Sequence, residues 1–370
     1  MSPVCTFIYY YIFRGCYFIF GYAQVEVKLV ELKNVVSEFI RIGRQVDPLM
    51  EHYLLSNLSE AFKEPVLHQI RTGGKRVRPA LTIISAKALG GRQDEAMPAA
   101  AAVELTHQYS LVLDDIIDHS ELRRGQPTVW KKYGISTAIL VAVHYRESIS
   151  EALLGTVDPP TFTKILVETV KVLTEGERLD ILFEQAGRVD EPYVVNNRYK
   201  IVSFDDYMDM INKKTAALME TACVFGALSA RADKEQIEAL KKYGHALGIA
   251  FQIGDDIIDL FGEEEKTGKR VGQDIVEHKL GNIVIALALE ELEGKDKEKL
   301  LTTLRKDEVT FEEAREIINL IKAKTRAKER AQNLRDECVL KALQSLEALP
   351  DNEHKKMLEG LARFIAVREY

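Results

Sequence analysis

The sequence predicts an all-α protein, and three observations carry that prediction. Apolar residues recur at helical spacing along most of the chain. The strict alternation that is typical of strands is scarce, and the connections between periodic segments are short, as at 90–91, 125–127 and 158–160. We therefore expect a helical bundle whose core is built from facing apolar stripes.

The helices can be placed in order along the chain. Leu29, Leu32 and Val36 share one face of an amphipathic helix that is expected from about Val25. A second helix should follow 47–48, because proline is favoured in the first turn of a helix. Further periodic segments predict helices over 79–90, 94–119, 136–154, 161–186, 204–230, 234–260, 280–293, 311–346 and 351–368.

The composition is that of a globular protein and argues against a nucleic-acid partner. Of 370 residues, 46% are hydrophobic and 29% are charged, and the net charge is −7. No linker rich in proline, glycine or serine divides the chain, so residues 25–370 are expected to form a single domain. The cysteines at 5, 16, 223 and 338 show no CxxC pairing, which is typical of reduced thiols and indicates a cytoplasmic location.

Residues 1–24 form a hydrophobic leader of doubtful status. The stretch 4–22 is apolar and about long enough to cross a bilayer, but Arg14 at its centre is costly there. It lacks the basic region and cleavage site of a signal peptide. Three interpretations stay open: a membrane-associating anchor, a helix of the fold, or translated sequence upstream of the true start. We favour the third, since amphipathic patterning begins only near Val25, and we expect no stable membrane span.

The pentapeptide Asp-Asp-Ile-Ile-Asp occurs twice, at 114–118 and at 255–259. Each copy closes a long apolar segment, and residues four apart lie on one face of a helix. Asp114 and Asp118 would therefore point the same way, as would the first and last aspartates of the second copy. Carboxylates this close repel each other unless a cation lies between them, and Mg²⁺ prefers oxygen ligands. A single copy would be better interpreted as a solvated acidic helix end, but the repeat favours a metal site completed by phosphate oxygens.

Basic residues cluster in a glycine-containing turn at 72–79. Its two glycines free the backbone so that main-chain N–H groups can approach an anion, while Lys75 and Arg78 supply positive charge. The turn is not a P-loop, because the upstream glycine is missing and Arg76 stands where serine or threonine is required. A surface turn with solvated charges would be preferred if the run stood alone.

Further polar residues lie near the two acidic clusters. Glu104 and His107 form half of a di-iron signature, but the sequence contains no second ExxH on another inward-facing helix. A basic turn at 123–124 follows the first cluster, and Lys214 is awkward on an otherwise apolar helix unless it has a partner. Ordinary ion pairs would explain such cations. Beside a metal and a phosphate they are better interpreted as diphosphate ligands.

At these residues the chain resembles the trans-type isoprenyl diphosphate synthases, in particular the archaeal-type geranylgeranyl diphosphate synthases. The resemblance spans roughly residues 30–346. It is carried by Gly-Gly-Lys-Arg-x-Arg-Pro at 73–79, both aspartate-rich motifs, Arg-Arg-Gly at 123–125, Lys214-Thr215 and Phe251-Gln252-x-x-Asp-Asp. It implies an all-α, isoprenoid-synthase-like helical bundle around a deep central cavity, a homodimer, and Mg²⁺ as cofactor.

The resemblance also implies roles for individual residues. Isopentenyl diphosphate, the homoallylic acceptor, would be held by Lys75, Arg78, His107 and Arg124. Mg²⁺ would be ligated by Asp114, Asp115, Asp118, Asp255 and Asp259. The allylic diphosphate (dimethylallyl, geranyl or farnesyl) would contact Arg123, Lys214, Thr215, Gln252, Lys269 and Lys279. Catalysis would depend on Asp114, Asp115, Asp118, Asp255, Asp256 and Lys214.

The resemblance places the control of product length on the first acidic helix. Tyr109 lies about 7–8 Å before Asp114 along that helix, with the small residue Ser110 beside it. In the family this arrangement is associated with a twenty-carbon product, geranylgeranyl diphosphate. The alternative is that Tyr109 simply packs in the core between helices.

Two departures from many relatives leave alternatives open. Leu113 stands where histidine is common, and 141–144 replaces a Gly-Asp pair, which puts the cavity wall and the dimer surface in doubt. A farnesyl or longer-chain synthase would differ only in cavity depth. A catalytically silent synthase subunit would be expected to lose aspartates that this chain keeps, and a terpene cyclase would have no use for the acceptor pocket.

Overall fold

The computed structural model describes residues 22–264 and 270–368, and over them the all-α prediction is confirmed. Residues 1–21, most of the predicted leader, lie outside the described residues. In chain order the α-helices are α1 (Tyr22–Gly43), α2 (Asp47–Leu55), α3 (Lys63–Arg71), α4 (Val77–Ala88), α5 (Gln93–Ile117), α6 (Val129–Tyr133), α7 (Ile135–Leu154), α8 (Pro159–Phe183), α9 (Pro192–Asn197), α10 (Phe204–Ile211), α11 (Ala217–Ser229), α12 (Lys234–Phe261), α13 (Gln273–Val276), α14 (Ile283–Glu291), α15 (Gly294–Leu304), α16 (Phe311–Lys324), α17 (Ala327–Ser345) and α18 (Glu353–Val367).

Two of the predicted helical segments are interrupted. The segment 204–230 contains α10, a π-helical turn at Asn212–Ala216 and α11. The segment 311–346 is split into α16 and α17 at Thr325, whose extended backbone (φ −134°, ψ 163°) ends α16. The Thr325 hydroxyl accepts a hydrogen bond from the N–H of Ala327, the first residue of α17, so it satisfies one of the free donors at that helix start.

A short hairpin is the sheet structure of the described residues. Strands β1 (Leu122–Arg123) and β2 (Gln126–Pro127) pair antiparallel, with Arg123 opposite Gln126. The basic turn after the first acidic cluster is therefore a two-stranded hairpin. It carries Arg123 and the adjacent Arg124 a few residues beyond the end of α5.

The two helices that carry the acidic clusters lie at the centre of the bundle. Helix α5 packs against α4, α7 and α11, while α12 packs against α11 and α17. Helix α11 thus joins the two acidic helices, and one cluster of buried apolar side chains runs from Phe39 to Ile365. No helix in the part of the chain that the structure describes is long and apolar enough to cross a bilayer.

Side-chain caps fix where the helices around the site begin. Ser203 and Asp206 form a capping box at the start of α10, and Asp233 and Gln236 form one at the start of α12. Asn282 caps α14, because its side-chain oxygen accepts from the N–H groups of the second and third residues of that helix. Such caps typically contribute about 1 kcal/mol each, and here they define where the site-bearing helices enter the core.

Candidate active site

The three aspartates of the first acidic cluster differ in their burial and in their partners. Helix α5 ends at Ile117, and the N–H of Asp118 still donates to the Asp114 carbonyl at 2.8 Å, so Asp114 and Asp118 share one face. Asp115 is 1% exposed, and its carboxylate is paired with Arg123, with Nη2 to Oδ1 at 2.7 Å and Nε donating at 2.9 Å. One aspartate is therefore an internal anchor, and the other two are left at the more accessible helix end.

The second cluster repeats this division. Asp256 is 3% exposed and accepts hydrogen bonds from the Tyr207 hydroxyl at 2.8 Å, the Gln252 amide at 2.9 Å and the Ile283 N–H at 2.8 Å. Burial raises the pKa of Asp256 well above its usual range, and the nearby Asp274 carboxylate adds to that shift. The first and last aspartates of this cluster, Asp255 and Asp259, stay only partly buried.

Asp255 is held by an arginine from the end of the described chain. Arg368 donates from Nη2 to Asp255 Oδ1 and to the Phe251 carbonyl, both at 2.6 Å, and its guanidinium lies 4.1 Å from the centre of the Phe251 ring. A Cβ at Gly254 would come within 2.9 Å of Arg368 Nη2, so this glycine makes room for the arginine. Asp259 accepts a backbone hydrogen bond from Asp274 at 3.2 Å.

Lys214 has the partner that its apolar surroundings require. Its ammonium group contacts Asp180 Oδ2 at 2.6 Å and Glu177 Oε2 at 2.8 Å, both on α8. The lysine lies in the π-helical turn, a geometry that is frequent at functional sites. A Cβ at Gly176 would lie 2.3 Å from the backbone nitrogen of Lys214, so only glycine allows α8 to approach the turn this closely.

Thr215, Gln252 and Lys279 extend this polar network between the two clusters. The Thr215 hydroxyl donates to Gln252 Oε1 at 2.9 Å, and the Gln252 amide in turn donates to Asp256. Lys279 contacts Glu277 at 2.9 Å. Burial opposes its charge, yet carboxylates that include those of Asp180, Glu277, Asp274 and Asp118 raise the pKa of Lys279 well above its usual value. Lys269, the remaining predicted diphosphate ligand, lies outside the described residues.

The surroundings of Asp114 disfavour its ionised form, which additional positive charge would stabilise. Burial raises the pKa of Asp114 to about 7, and the nearby Glu177 and Asp118 carboxylates add to the shift although Lys214 and Arg123 oppose it. Over residues 22–264 and 270–368, no three acidic, histidine or cysteine side chains converge into a preformed metal site. This donor set fits Mg²⁺, which is typically held by one or two carboxylates together with phosphate oxygens and water.

A separate pocket of positive charge surrounds His107. Burial lowers the pKa of His107 well below its usual value, and four arginines add to the shift, so the imidazole is neutral. Those arginines are Arg78, Arg124, Arg123 and Arg76. Arg124 contacts the Gly73 carbonyl and donates to Thr72 Oγ1 at 3.4 Å, while Lys75 beside it is exposed. The buried Nε of Arg78 has no hydrogen-bond partner within the described residues, as expected of a donor that awaits an anion.

Arg76 and Glu104 serve the architecture of this pocket. Arg76 is almost fully buried and pairs with Asp47 at 2.8 Å and with Glu104 at 3.1 Å. The Glu104 carboxylate also accepts from the Gln108 amide at 2.6 Å. The glutamate of the ExxH pair is thus occupied by a buried arginine and an amide.

Comparison with known proteins decides the family. The family model described as polyprenyl synthetase matches residues 59–321. The chain belongs to the polyprenyl synthetase family. It is 34% identical to the short chain isoprenyl diphosphate synthase of Methanothermobacter thermautotrophicus over 90% of this chain and 100% of the relative. It is 33% identical to the geranylgeranyl diphosphate synthase of Saccharolobus solfataricus over 89% and 97% of the two chains.

A solved structure and the other relatives refine this assignment. The geranylgeranyl pyrophosphate synthetase from Pyrococcus horikoshii matches the fold with a TM-score of 0.82 at 32% identity, covering 92% of this chain and 100% of that one. Further relatives are named geranylfarnesyl diphosphate synthase, from Aeropyrum pernix, and heptaprenyl diphosphate synthase component 2, from Geobacillus stearothermophilus. The chain is therefore a trans-prenyl diphosphate synthase that uses isoprenyl diphosphate substrates, and the resemblance read from its motifs is confirmed.

Tyr109 and Ser110, the residues predicted to set product length, both lie on α5. Tyr109 is partly buried and packs against the core of the synthase, and Ser110 donates from its hydroxyl to the His107 carbonyl at 2.9 Å. The departure at 141–144 is accommodated on α7. Val141 and Ala142 are buried, and the His144 ring is 2.8 Å from the Leu54 carbonyl oxygen.

Sequence reasoning missed the partners that hold the predicted residues. Glu177 and Asp180 lie three residues apart on one helical face, a signal that could have identified them as the acidic partner that Lys214 needs. Arg188 contacts Asp118 from a loop 70 residues away, and Arg368 reaches Asp255 across 113 residues. Neither arginine lies in a recognisable motif, so no local pattern marked them.

The raised pKa of Asp114 makes the stability of the metal-free synthase depend on pH. A carboxyl group whose folded pKa exceeds its unfolded value binds its proton more tightly in the folded state. Below about pH 4 the carboxyl group is protonated in both states and does not change the free energy of unfolding. As the pH rises towards about 7 it lowers the free energy of unfolding progressively. In chelator, Asp114→Asn should therefore be more stable than wild type at pH 7.5, by at most about 4 kcal/mol, and equally stable at pH 4.

Urea unfolding at both pH values measures this difference. Asp307→Asn, at an exposed position, is the matched control and should follow wild type at both. Parallel pH profiles for wild type and Asp114→Asn would contradict the assigned environment of Asp114.

Proposed function

We propose that this synthase condenses isopentenyl diphosphate with dimethylallyl, geranyl or farnesyl diphosphate, with Mg²⁺ as cofactor, and that its main product is geranylgeranyl diphosphate. The observation that carries the proposal is the pairing of two unlike pockets. One gathers carboxylates around the partly buried Lys214 and Lys279, and the other surrounds the neutral His107 with arginines. A reaction that joins two diphosphates, only one of which leaves, needs two such unlike pockets.

The aspartate pairs at the helix ends are the proposed metal ligands. Asp114 with Asp118, and Asp255 with Asp259, would hold Mg²⁺, which when bound neutralises the charge of the departing diphosphate. Asp115 and Asp256 were also predicted to be functional, the former as a ligand. We propose that they act from within by fixing the first helix end through Arg123 and the second through Tyr207.

Lys214 and Lys279 are the proposed cations for the allylic diphosphate. Each is surrounded by carboxylates that keep it protonated, so each carries a full positive charge at neutral pH. Thr215 and Gln252, joined by a hydrogen bond, offer neutral polar groups beside them. Fixed charges of this kind stabilise the negative charge that develops on the leaving diphosphate, at little reorganisation cost.

The basic pocket is the proposed site of isopentenyl diphosphate. Arg78, Arg124 and Lys75 supply the positive charge, and the neutral imidazole of His107 can donate one hydrogen bond without adding a buried charge. Binding there would hold the acceptor double bond near the allylic carbon that loses its diphosphate. The acceptor double bond is the nucleophile, and the proton that is then lost can pass to the departed diphosphate, so neither a protein nucleophile nor a protein base is required.

Incubation with Mg²⁺, isopentenyl diphosphate and each allylic primer in turn tests the reaction. We expect prenyl alcohols of twenty carbons after removal of the diphosphate, sized by chromatography. Asp255→Ala should lower turnover at least about 100-fold with unchanged helical content, because it would weaken the hold on the Mg²⁺ that stabilises the charge developing in the transition state. Products of another length would keep the chemistry and reject the twenty-carbon assignment. No product from any primer would favour the silent-subunit alternative.

We propose that Tyr109 blocks the growing chain at twenty carbons. Its ring is partly buried one to two turns below Asp114, and Ser110 beside it is small enough to leave space. The names of the relatives include the twenty-carbon product and longer ones, so the overall similarity supports the reaction without selecting a length.

Replacing this side chain gives a direct test. Tyr109→Ala should shift the main product beyond twenty carbons, since removal of a ring opens the space below the site. Tyr109→Phe, which keeps the ring, should retain the wild-type product. An unchanged product distribution in Tyr109→Ala would remove Tyr109 from this role.

We propose that the synthase is a homodimer that pairs through α7 and that residues 25–370 form one domain around the single core. Ile135, Ile139 and Val143 lie at four-residue spacing on one face of α7, and Leu140 lies next to them. All four are about half exposed, between 48% and 59%. A contiguous apolar stripe of this kind is typical of an interface, and a two-fold axis would pack it against its own copy. The cytoplasmic location stays a prediction from the cysteines.

Light scattering after size exclusion measures the assembly. Wild type should have twice the chain mass, and Leu140→Glu should shift the population to monomer, because it would bury a charge in the interface. Val195→Glu, at another exposed apolar position on α9 (46% exposed), should stay dimeric. A monomeric wild type, or a dimeric Leu140→Glu, would exclude α7 as the interface.

A further inference from the structure

Arg188 lies in the loop between α8 and α9, and this loop is held firmly beside the end of α5. The N–H of Gln185 donates to the His278 carbonyl at 2.9 Å, and Arg198 donates to the carbonyls of Gln185, Ala186 and Gly187 at 3.3, 3.1 and 2.8 Å. These hydrogen bonds anchor the loop on both sides, so the backbone that carries Arg188 is held in place.

The backbone at Arg188 adopts a strained conformation. Gly187 and Arg188 both have positive φ, at 70° and 53°. For a residue with a Cβ this left-handed conformation costs on the order of 1–2 kcal/mol. The contacts of the side chain offset that cost, since Arg188 is only 8% exposed.

All five N–H donors of the Arg188 guanidinium are occupied. Nε and Nη2 donate to the two oxygens of Glu184 at 2.6 and 3.0 Å, and Nη1 donates to Glu191 at 3.2 Å. The remaining two donors go to the first acidic cluster, from Nη1 to the Ile117 carbonyl at 2.9 Å and from Nη2 to Asp118 Oδ1 at 3.3 Å. A guanidinium with no free donor is poorly suited to bind substrate, but it can fix what it touches.

The two contacts to the acidic cluster act on both the backbone and the side chain of one turn. Ile117 is the last residue of α5, and its carbonyl belongs to the negative end of the helix. Asp118, at the exposed end, would be free to rotate without a partner. A carboxylate has two oxygens and several lone pairs, so Asp118 can accept from Arg188 at Oδ1 and still ligate a cation. The three carboxylates around Arg188 leave a net negative charge that favours this.

We propose that Arg188 is a positioning residue that holds Asp118 in the orientation from which it ligates the metal ion. The proposal rests on the metal role of Asp118 proposed above. Residues that orient a metal ligand typically contribute 10–100-fold to metal affinity, although they never touch the metal. The loss of Arg188 should therefore weaken metal binding, while the acceptor pocket around His107 should keep its affinity.

The effect of Arg188 on metal affinity can be measured directly. Mn²⁺ is titrated into the full chain in the presence of inorganic pyrophosphate, and the bound Mn²⁺ is quantified by electron paramagnetic resonance. Arg188→Gln should weaken Mn²⁺ binding about 10–100-fold. Arg188→Lys, which keeps the charge and loses the planar fork, should fall between Arg188→Gln and wild type. Arg178→Gln, which removes a surface arginine paired with Glu175 on α8, is the matched control and should bind as wild type.

Steady-state kinetics separates positioning from a direct substrate role. In Arg188→Gln the Mg²⁺ concentration for half-maximal rate should rise, with the KM for isopentenyl diphosphate unchanged and the rate restored at high Mg²⁺. Wild-type Mn²⁺ affinity in a folded Arg188→Gln, or a loss of rate that Mg²⁺ does not restore, would overturn the proposal. Asp118→Asn separates the two levels of the argument. If Asp118→Asn binds Mn²⁺ with wild-type affinity, the metal role of Asp118 is wrong, independently of the result for Arg188→Gln.

Discussion

Carboxylates gathered in a partly desolvated site repel one another, and relief of that repulsion is the constraint on which the rest of the structure depends. Burial raises the pKa of Asp114 to about 7, and the nearby carboxylates of Glu177 and Asp118 add to that shift. Cations whose positions are set by packing offset this repulsion. One is Lys214, in the π-helical turn, which can approach α8 closely because α8 has glycine at position 176. These cations offset the repulsion only in part, and the remaining negative charge would favour a divalent cation, as proposed for this site.

Each acidic cluster solves the same problem in the same way. Its middle aspartate is buried and saturated with donors, and its outer two are left at the helix end. The donors differ: Asp115 uses the guanidinium of Arg123, whereas Asp256 uses a hydroxyl, an amide and a backbone N–H. A buried carboxylate with such partners orients the helix turn that carries its neighbours. The outer aspartates can then be accessible without being disordered.

Local regularity explains what the sequence could reveal, and long-range pairing explains what it could not. The shared face of Asp114 and Asp118 follows from helix periodicity alone, and the fold class follows from the same period. That Asp115 is internal depends on Arg123, and that Asp256 is internal depends on Tyr207, 49 residues away. The sequence showed that Lys214 needed a partner without showing which one. Arg188 lies in an irregular loop, where neither period nor motif marks a functional side chain.

The hairpin after α5 joins the two pockets mechanically. Arg123, on one strand, grips the anchor aspartate of the acidic cluster, and the adjacent Arg124 reaches to the glycine turn of the basic pocket. Arg123 and Arg124 are adjacent in the chain, so a ligand that moved one arginine would act on the backbone that carries the other. Thermodynamic linkage makes such an effect reciprocal, so occupancy of either pocket would alter the affinity of the other by the same factor. If the two proposed pockets hold the two substrates, the hairpin is the covalent link through which binding at one would be coupled to binding at the other.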